Sequence, residues 1–324
     1  MLSFPSSFTP SRTTLSSSPT TSLFALVHAP PTASDDCPIL LFLHGYPQNH
    51  LLFAPLLTRL DQERILDKFR VVVPDLPGYG QSRKPPSADG SHLAHSKREV
   101  GKDLAALVDQ LFGKEAKMVL IGHDRGARVA YRMAKDSRSQ VAGLCVMDIV
   151  PTKKQFEEMS YHKSRHAKTL SAYHWIFLAL PPPLPETLIS SNPSFYIQHT
   201  IDSWTGSRFK GKLDEDAMRS WTEQYEDDEV VQGALEDYRA GISVDLDHDE
   251  ADERAGKESV DCPVLALWSE YLAMTYDVGK VWEGLGPEGG VEGRRVGDGE
   301  TGHFLPLEAL AECTEALKGW LGQF

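Results

Sequence analysis

The stretch Gly122-His123-Asp124-Arg125-Gly126 places an acidic side chain between two glycines, directly after the apolar run Met118 to Ile121 and ahead of a helix-like segment. Flanking glycines allow a sharp strand-to-helix turn that exposes the central side chain, which is the setting of a nucleophile elbow, here with Asp where Ser is commoner. Alone, an Asp ahead of a helix is more often its N-cap. Two further stretches shift that balance. His44-Gly45-Tyr46-Pro47 follows a second apolar run, so the Tyr46 amide could meet the Arg125 amide as an oxyanion hole. Gly302-His303-Phe304 precedes the last helix, the place of a catalytic base in this chain order. Such a base needs an acid on its far ring nitrogen, and both Asp148, after Val141 to Met147, and Glu270, after Val264 to Trp268, are candidates.

A carboxylate nucleophile is ionised at neutral pH and can attack a saturated carbon bearing a leaving group without help from a base. The product would be an alkyl ester on Asp124, which His303 would clear by taking a proton from water attacking the ester carbonyl. Hydrolysis of a haloalkane or an epoxide fits that scheme. Arg125 and Arg128 lie three apart at the start of one helix, beside the nucleophile. Guanidinium forks bind carboxylates bidentately, so the pair favours a short 2-haloacid whose α-carbon faces Asp124; the bland alternative is that one or both arginines pair with surface acids.

These residues need a scaffold that brings strand ends together. Apolar runs at Ser22 to His28, Pro38 to Gly45, Phe69 to Asp75, Met118 to Gly122 and Val141 to Asp148 alternate with helical periodicity near Leu51 to Leu66, Ser96 to Leu111 and Arg125 to Lys135. Alternation of this kind predicts an α/β fold with a mostly parallel sheet, whose ligands sit beyond the carboxyl ends of the strands. It stops at Pro151 and resumes at Cys262. Residues 1–150 and 260–324 are therefore expected to form the core and residues 151–259 a helical cap.

The chain has 324 residues, 33 Lys+Arg against 46 Asp+Glu and a formal net charge of −13, which argues against a nucleic-acid surface. Cys37, Cys145, Cys262 and Cys313 are far apart and read as buried free thiols of a cytoplasmic protein. No run reaches the roughly 18 apolar residues of a membrane span. The first 34 residues lack acid and are rich in Ser and Thr, as a transit segment would be, but edge strands explain them equally well. Asp245, Asp247 and Asp249 imitate the start of a calcium loop, yet Glu250 stands where Gly is required, so no metal is expected there. His44 and Asp75 are read as loop-organising residues, and Glu226 to Glu229 as a solvated run.

HGYPQ, DLPGYGQSRKP, GHDRGARVAYRMA, MDIVPT, YHWIFLALP, PETLI, EDYRAG, DLDHDEAD and GHFLP together resemble the fluoroacetate dehalogenase family of α/β-hydrolases, from about Phe42 to Leu321. The resemblance implies an α/β-hydrolase fold, Asp124 as nucleophile, His303 as base with Asp148 as its acid, and Arg125 and Arg128 on the substrate carboxylate. It further implies that His174, Trp175 and Tyr238 donate hydrogen bonds to the departing halide, that no cofactor is needed, and that the protein forms a homodimer. The chain departs from the family pattern at Ser269 to Trp282 and at Glu270. An epoxide hydrolase built on the same Asp124 and His303 is the rival reading, and a non-catalytic small-molecule binder a third.

Overall fold

The continuously apolar runs become the middle of one sheet. In the computed structural model, which describes residues 3–34, 36–114, 116–159 and 170–324, β3 (Ile39–Leu43), β4 (Val71–Pro74) and β5 (Met118–His123) are buried along their whole length, and β6 (Val141–Met147) nearly so. Strands covered on both faces have no polar side to show, which is why these runs do not alternate. Each buried Leu, Ile or Val there contributes about 1.5–3 kcal/mol. The eight-stranded sheet is completed by β1 (Thr9–Leu15), β2 (Ser18–His28), β7 (Val264–Trp268) and β8 (Val291–Arg295), in the order β1-β2-β4-β3-β5-β6-β7-β8. β1 and β2 pair antiparallel, as do β2 and β4, and the remaining pairs are parallel. The Ser/Thr-rich opening is thus an edge hairpin. The opposite edge, β8, carries Glu292, Arg294 and Arg295 into solvent, charges that discourage pairing with another chain.

Helices α1 (Ala54–Gln62), α2 (Lys97–Phe112) and α3 (Asp124–Asp136) cross between the early strands. The first is shorter than its periodicity predicts, because a 3₁₀ turn at His50–Phe53 precedes it and Pro55 marks its first turn. Ser96 caps α2 by accepting from Glu99 N–H at 3.3 Å. Between β6 and β7 the described chain is helical: α4 (Thr152–Glu158), α5 (Tyr173–Phe177), α6 (Leu184–Ser191), α7 (Pro193–Trp204), α8 (Glu215–Glu223), α9 (Asp228–Ile242) and α10 (Val244–Arg254). The expected cap also contains residues 160–169, which lie outside the described residues. After β7 come α11 (Glu270–Ala273) and α12 (Val278–Glu283); the expected last helix is divided into α13 (Leu305–Glu308) and α14 (Leu310–Leu321).

Buried ion pairs tie the helical excursion to the core. Lys97 of α2 bonds Asp237 Oδ1 at 2.5 Å and Asp245 Oδ2 at 3.0 Å, while Arg132 of α3 holds Asp249 and Asp252 at 2.5 Å each. Removing one partner of such a pair strands a charge and costs about 3–5 kcal/mol. The Asp-x-Asp-x-Asp run therefore lies on α10 and faces cations of the protein at Asp245 and Asp249. Of the acidic run on the excursion, Glu226, Asp228 and Glu229 are exposed and Asp227 caps α9. All four cysteines are free thiols; three are buried and Cys37 is half-buried. Among the described residues no helix is long and apolar enough to cross a membrane.

Candidate active site

Asp124 and Asp148 share an unusual backbone. Both stand immediately after a strand, β5 and β6, and both have positive φ, 48° and 56°. Left-handed conformations are disfavoured for L-residues, although Asp tolerates them better than most, and such strain gathers where a side chain must be aimed. The turn at Asp124 also needs its glycines. A Cβ on Gly126 would strike the Leu43 and His44 carbonyls, and one on Gly45 would strike the Asp124 side chain itself. With both positions bare, the Tyr46 amide donates to Asp124 Oδ1 at 3.0 Å. Arg125, the other expected amide donor, is in the first turn of α3, where N–H groups have no helical acceptor.

The second oxygen of Asp124, Oδ2, lies 3.6 Å from His303 Nε2, and His303 Nδ1 donates to Asp148 Oδ2 at 2.7 Å. Asp148 Oδ1 accepts from Ser269 N–H at 2.8 Å, which fixes the carboxylate against the end of β7. The imidazole is thus held between two carboxylates. Burial opposes its charge, but the close Asp124 carboxylate and the bonded Asp148 outweigh that and push His303 up to about 10, so the resting ring is an imidazolium. Burial would raise the Asp124 carboxyl; the nearby charges of His303 and Arg128 instead hold it well below the usual range. Glu270, the alternative acid, is 43 % exposed at its side chain and 3.9 Å from Arg295. Asp148, not Glu270, meets the histidine.

The two arginines occupy different environments. Arg128 lines a cavity of about 560 Å³ together with Asp124, Asp148, His174, Trp175 and His303. Its Nη1 donates to the Val150 carbonyl at 2.8 Å, its Nε has no partner among the described residues, and its guanidinium lies 4.6 Å over the Trp175 ring. Burial lowers it to about 10, which leaves it cationic at neutral pH. Arg125 stands behind that wall, fully buried, with Nε on Asp237 Oδ2 at 2.6 Å and Nη2 on the Asp237 carbonyl at 2.7 Å. Asp237 thus engages most of Arg125, and among the described residues its Nη1 is without a partner. That acid, 112 positions away, could not be paired with Arg125 by any local pattern.

His174 and Trp175 lie on α5 and line the cavity opposite the strand ends. Burial drops His174 to about 3, so it is neutral and carries a single ring N–H. Tyr238, on α9, is 2 % exposed and packed behind them, 5.6 Å from Trp175, 6.1 Å from His174 and 5.3 Å from Tyr46 by ring centroids. Burial and the Asp124 charge raise its hydroxyl well above the ordinary value, which keeps the proton on it.

Sequence reasoning missed two supports of His303. His123, read only as part of the elbow motif, donates from Nε2 to the His303 carbonyl at 2.8 Å. Glu308 accepts backbone amides on either side of His303. His44 and Asp75 organise loops as expected: Leu76 N–H donates to His44 Nε2 at 2.9 Å, and Asp75 accepts from the His50 and Gln81 amides at 2.9 and 2.8 Å.

A family model described as the alpha/beta hydrolase fold matches residues 38–309. The chain is 36 % identical to a fluoroacetate dehalogenase from Burkholderia sp over 230 residues, 71 % of this chain and 70 % of that one. It is 25 % identical to a soluble epoxide hydrolase from Corynebacterium sp. (strain C12) over 279 residues, 86 % and 87 % of the two chains. Among solved structures, a Pseudomonas aeruginosa protein assigned as an epoxide hydrolase, a point mutant with bound MFA, superposes with a TM-score of 0.82 at 33 % identity, over 99 % of this chain and 98 % of that one. With the strand order, the elbow and the family match in agreement, the chain belongs to the α/β hydrolase fold family, among the relatives of fluoroacetate dehalogenase.

Proposed function

We propose that this hydrolase removes halide from short 2-haloacids through an ester on Asp124. The observation that carries the reading is the surroundings of that carboxylate. One oxygen is held by the Tyr46 amide, the other faces His303, and the Arg128 guanidinium opens into the same cavity. Arg128, helped by Arg125 Nη1, holds the substrate carboxylate and turns the α-carbon toward Oδ2. That oxygen displaces halide in line, with inversion, while His174, Trp175 and Tyr238 donate to the departing ion. Fluoride, small and hard, needs several such donors. The helices between β6 and β7 act as a cap that supplies them.

Esterification changes the base. Once Asp124 is neutral, one of the two carboxylates that hold the proton on His303 is gone, so the ring can release that proton to solvent. Neutral His303, oriented by Asp148, then takes a proton from water as the hydroxide adds to the Asp124 carbonyl carbon. The negative charge collects on Oδ1, where the Tyr46 amide and that of Arg125 receive it. Collapse breaks the bond from that carbon to the ester oxygen, and the leaving 2-hydroxy acid takes its proton from His303. The reading carries with it a small anionic partner, action in the cytoplasm and assembly as a homodimer.

An epoxide hydrolase would use the same two steps, and the protonated Tyr238 near Asp124 suits an epoxide oxygen as well as a halide. Arg128 favours the haloacid. Incubating purified protein with fluoroacetate, chloroacetate and a simple epoxide separates the readings: halide release without diol formation is expected. Diol formation alone would favour the epoxide, and no turnover of any would favour a binding role.

A further inference from the structure

Glu308 is 5 % exposed, and its carboxylate accepts three backbone amides: Gly302 N–H and Gly206 N–H on Oε2 at 2.7 Å each, and Phe304 N–H on Oε1 at 2.9 Å. A carboxylate that reaches back to the amide ahead of its own helix is ordinary capping. Capping accounts for Phe304, the N-cap of α13, and for nothing else. Gly302 lies on the other side of His303, and Gly206 belongs to the helical excursion, 102 positions from Glu308. One side chain therefore grips the peptides on both flanks of the base and joins them to the turn after α7. The remaining polar atoms of the His303 backbone are held from the end of α7 and from the end of β5. Its N–H donates to the Trp204 carbonyl at 2.9 Å, and its carbonyl accepts from His123.

We propose that Glu308 is a positioning residue for the ester-hydrolysis step. By fixing the His303 backbone it keeps the imbalance of a 2.7 Å bond to Asp148 and a 3.6 Å approach to Asp124, which leaves the Nε2 side of the ring open for water. Displacement of this kind of group by a fraction of an ångström costs up to about 10²-fold in rate. Ester formation draws on Asp124, Tyr46 and Arg128, none of which bonds Glu308, so the first step is spared. The proposal rests on the covalent-ester reading, and it holds for a haloacid or an epoxide alike.

Glu308→Gln keeps the shape and turns an amide NH₂ toward backbone donors. Slowing only the second step lowers kcat and KM together and leaves kcat/KM, which reports ester formation, nearly unchanged. The expected result is a fall of roughly tenfold to a hundredfold in kcat, a matching fall in KM, and ester on Asp124 seen by intact-protein mass spectrometry during turnover. A merely structural role would lower kcat and kcat/KM in step, with no ester accumulating, and that result overturns the proposal. If Glu308→Gln does not fold, Glu308→Asp, whose shorter carboxylate cannot span all three amides, is read in the same way; failure of both to fold also overturns it. His303→Ala serves as the control. Ester trapped there but absent in the Glu308 variant sinks the positioning role alone, whereas no ester in either sinks the covalent reading and this proposal with it.

Discussion

On the sheet side of the cavity the proposed reacting groups are fixed by directional bonds: Tyr46 amide to Asp124 at 3.0 Å, His303 to Asp148 at 2.7 Å and Ser269 amide to Asp148 at 2.8 Å. On the helical side, Tyr238 meets His174 and Trp175 edge-on and those two are tilted against each other, with centroids 5.6 to 6.1 Å apart. Hydrogen bonds set an atom to within a few tenths of an ångström, while ring packing sets a surface. The first wall suits covalent chemistry, which needs one geometry. The second suits selection of a leaving group, which needs a shape and a few N–H or O–H donors. The arginines of α3 repeat the contrast on a small scale, Arg128 opening to the cavity and Arg125 committed to Asp237.

The largest expected effect falls on the sheet side. Asp124→Asn should lower kcat by about 10⁴-fold or more, because an amide cannot form the ester. Retained activity in freshly prepared protein, with mass spectrometry excluding conversion back to Asp, would break the contrast at its first term. Next come the arginines. Arg128→Gln should cost about 2–4 kcal/mol in kcat/KM for a haloacid, roughly 30- to 1000-fold, with little change in melting temperature. Arg125→Gln should cost less in kcat/KM and should in addition destabilise the fold by about 3–5 kcal/mol, because Asp237 would keep a buried charge with one partner fewer. Equal kinetic losses and equal melting temperatures would erase the distinction.

Smaller changes are expected on the helical wall. Trp175→Phe and Tyr238→Phe each remove one donor and should slow release of fluoride by up to roughly 10²-fold, with a weaker effect on bromide, measured by halide release from the two haloacetates. Identical effects on both halides would mean that the rings only pack. The mildest effect is on stability against pH. His303 is raised to about 10 in the folded resting protein, so its contribution is complete below the ordinary 6.5 and is lost as pH rises toward 10. Melting temperature should fall across that window more steeply in the wild type than in His303→Gln, and parallel curves would count against the imidazolium.

The two walls also differ in how far a reader of the sequence can get. Strand-end chemistry is local: a buried run, a turn glycine and a functional residue are adjacent in the chain, so Asp124 and His303 could be picked out together with the α/β fold, whereas the choice of Asp148 over Glu270 comes from the resemblance. What joins them to the rest is not local. Arg125 finds Asp237 across 112 positions, and Glu308 finds Gly206 across 102, with no periodicity to announce either. Nor could composition give the positive φ at Asp124 and Asp148, since Asp is common after strands in ordinary caps. His174, Trp175 and Tyr238 were legible only through resemblance, because an aromatic residue on a buried helix face is ordinary core packing.

A single turnover in H₂¹⁸O, with protein in excess over haloacid, tests the covalent step directly. If Asp124 attacks carbon and water attacks the ester carbonyl, the heavy oxygen enters the Asp124 carboxylate and the 2-hydroxy acid leaves carrying the protein's own oxygen. Label found only in the released acid, with the Asp124 peptide unchanged in mass, would mean that water attacks the substrate itself and would contradict the account.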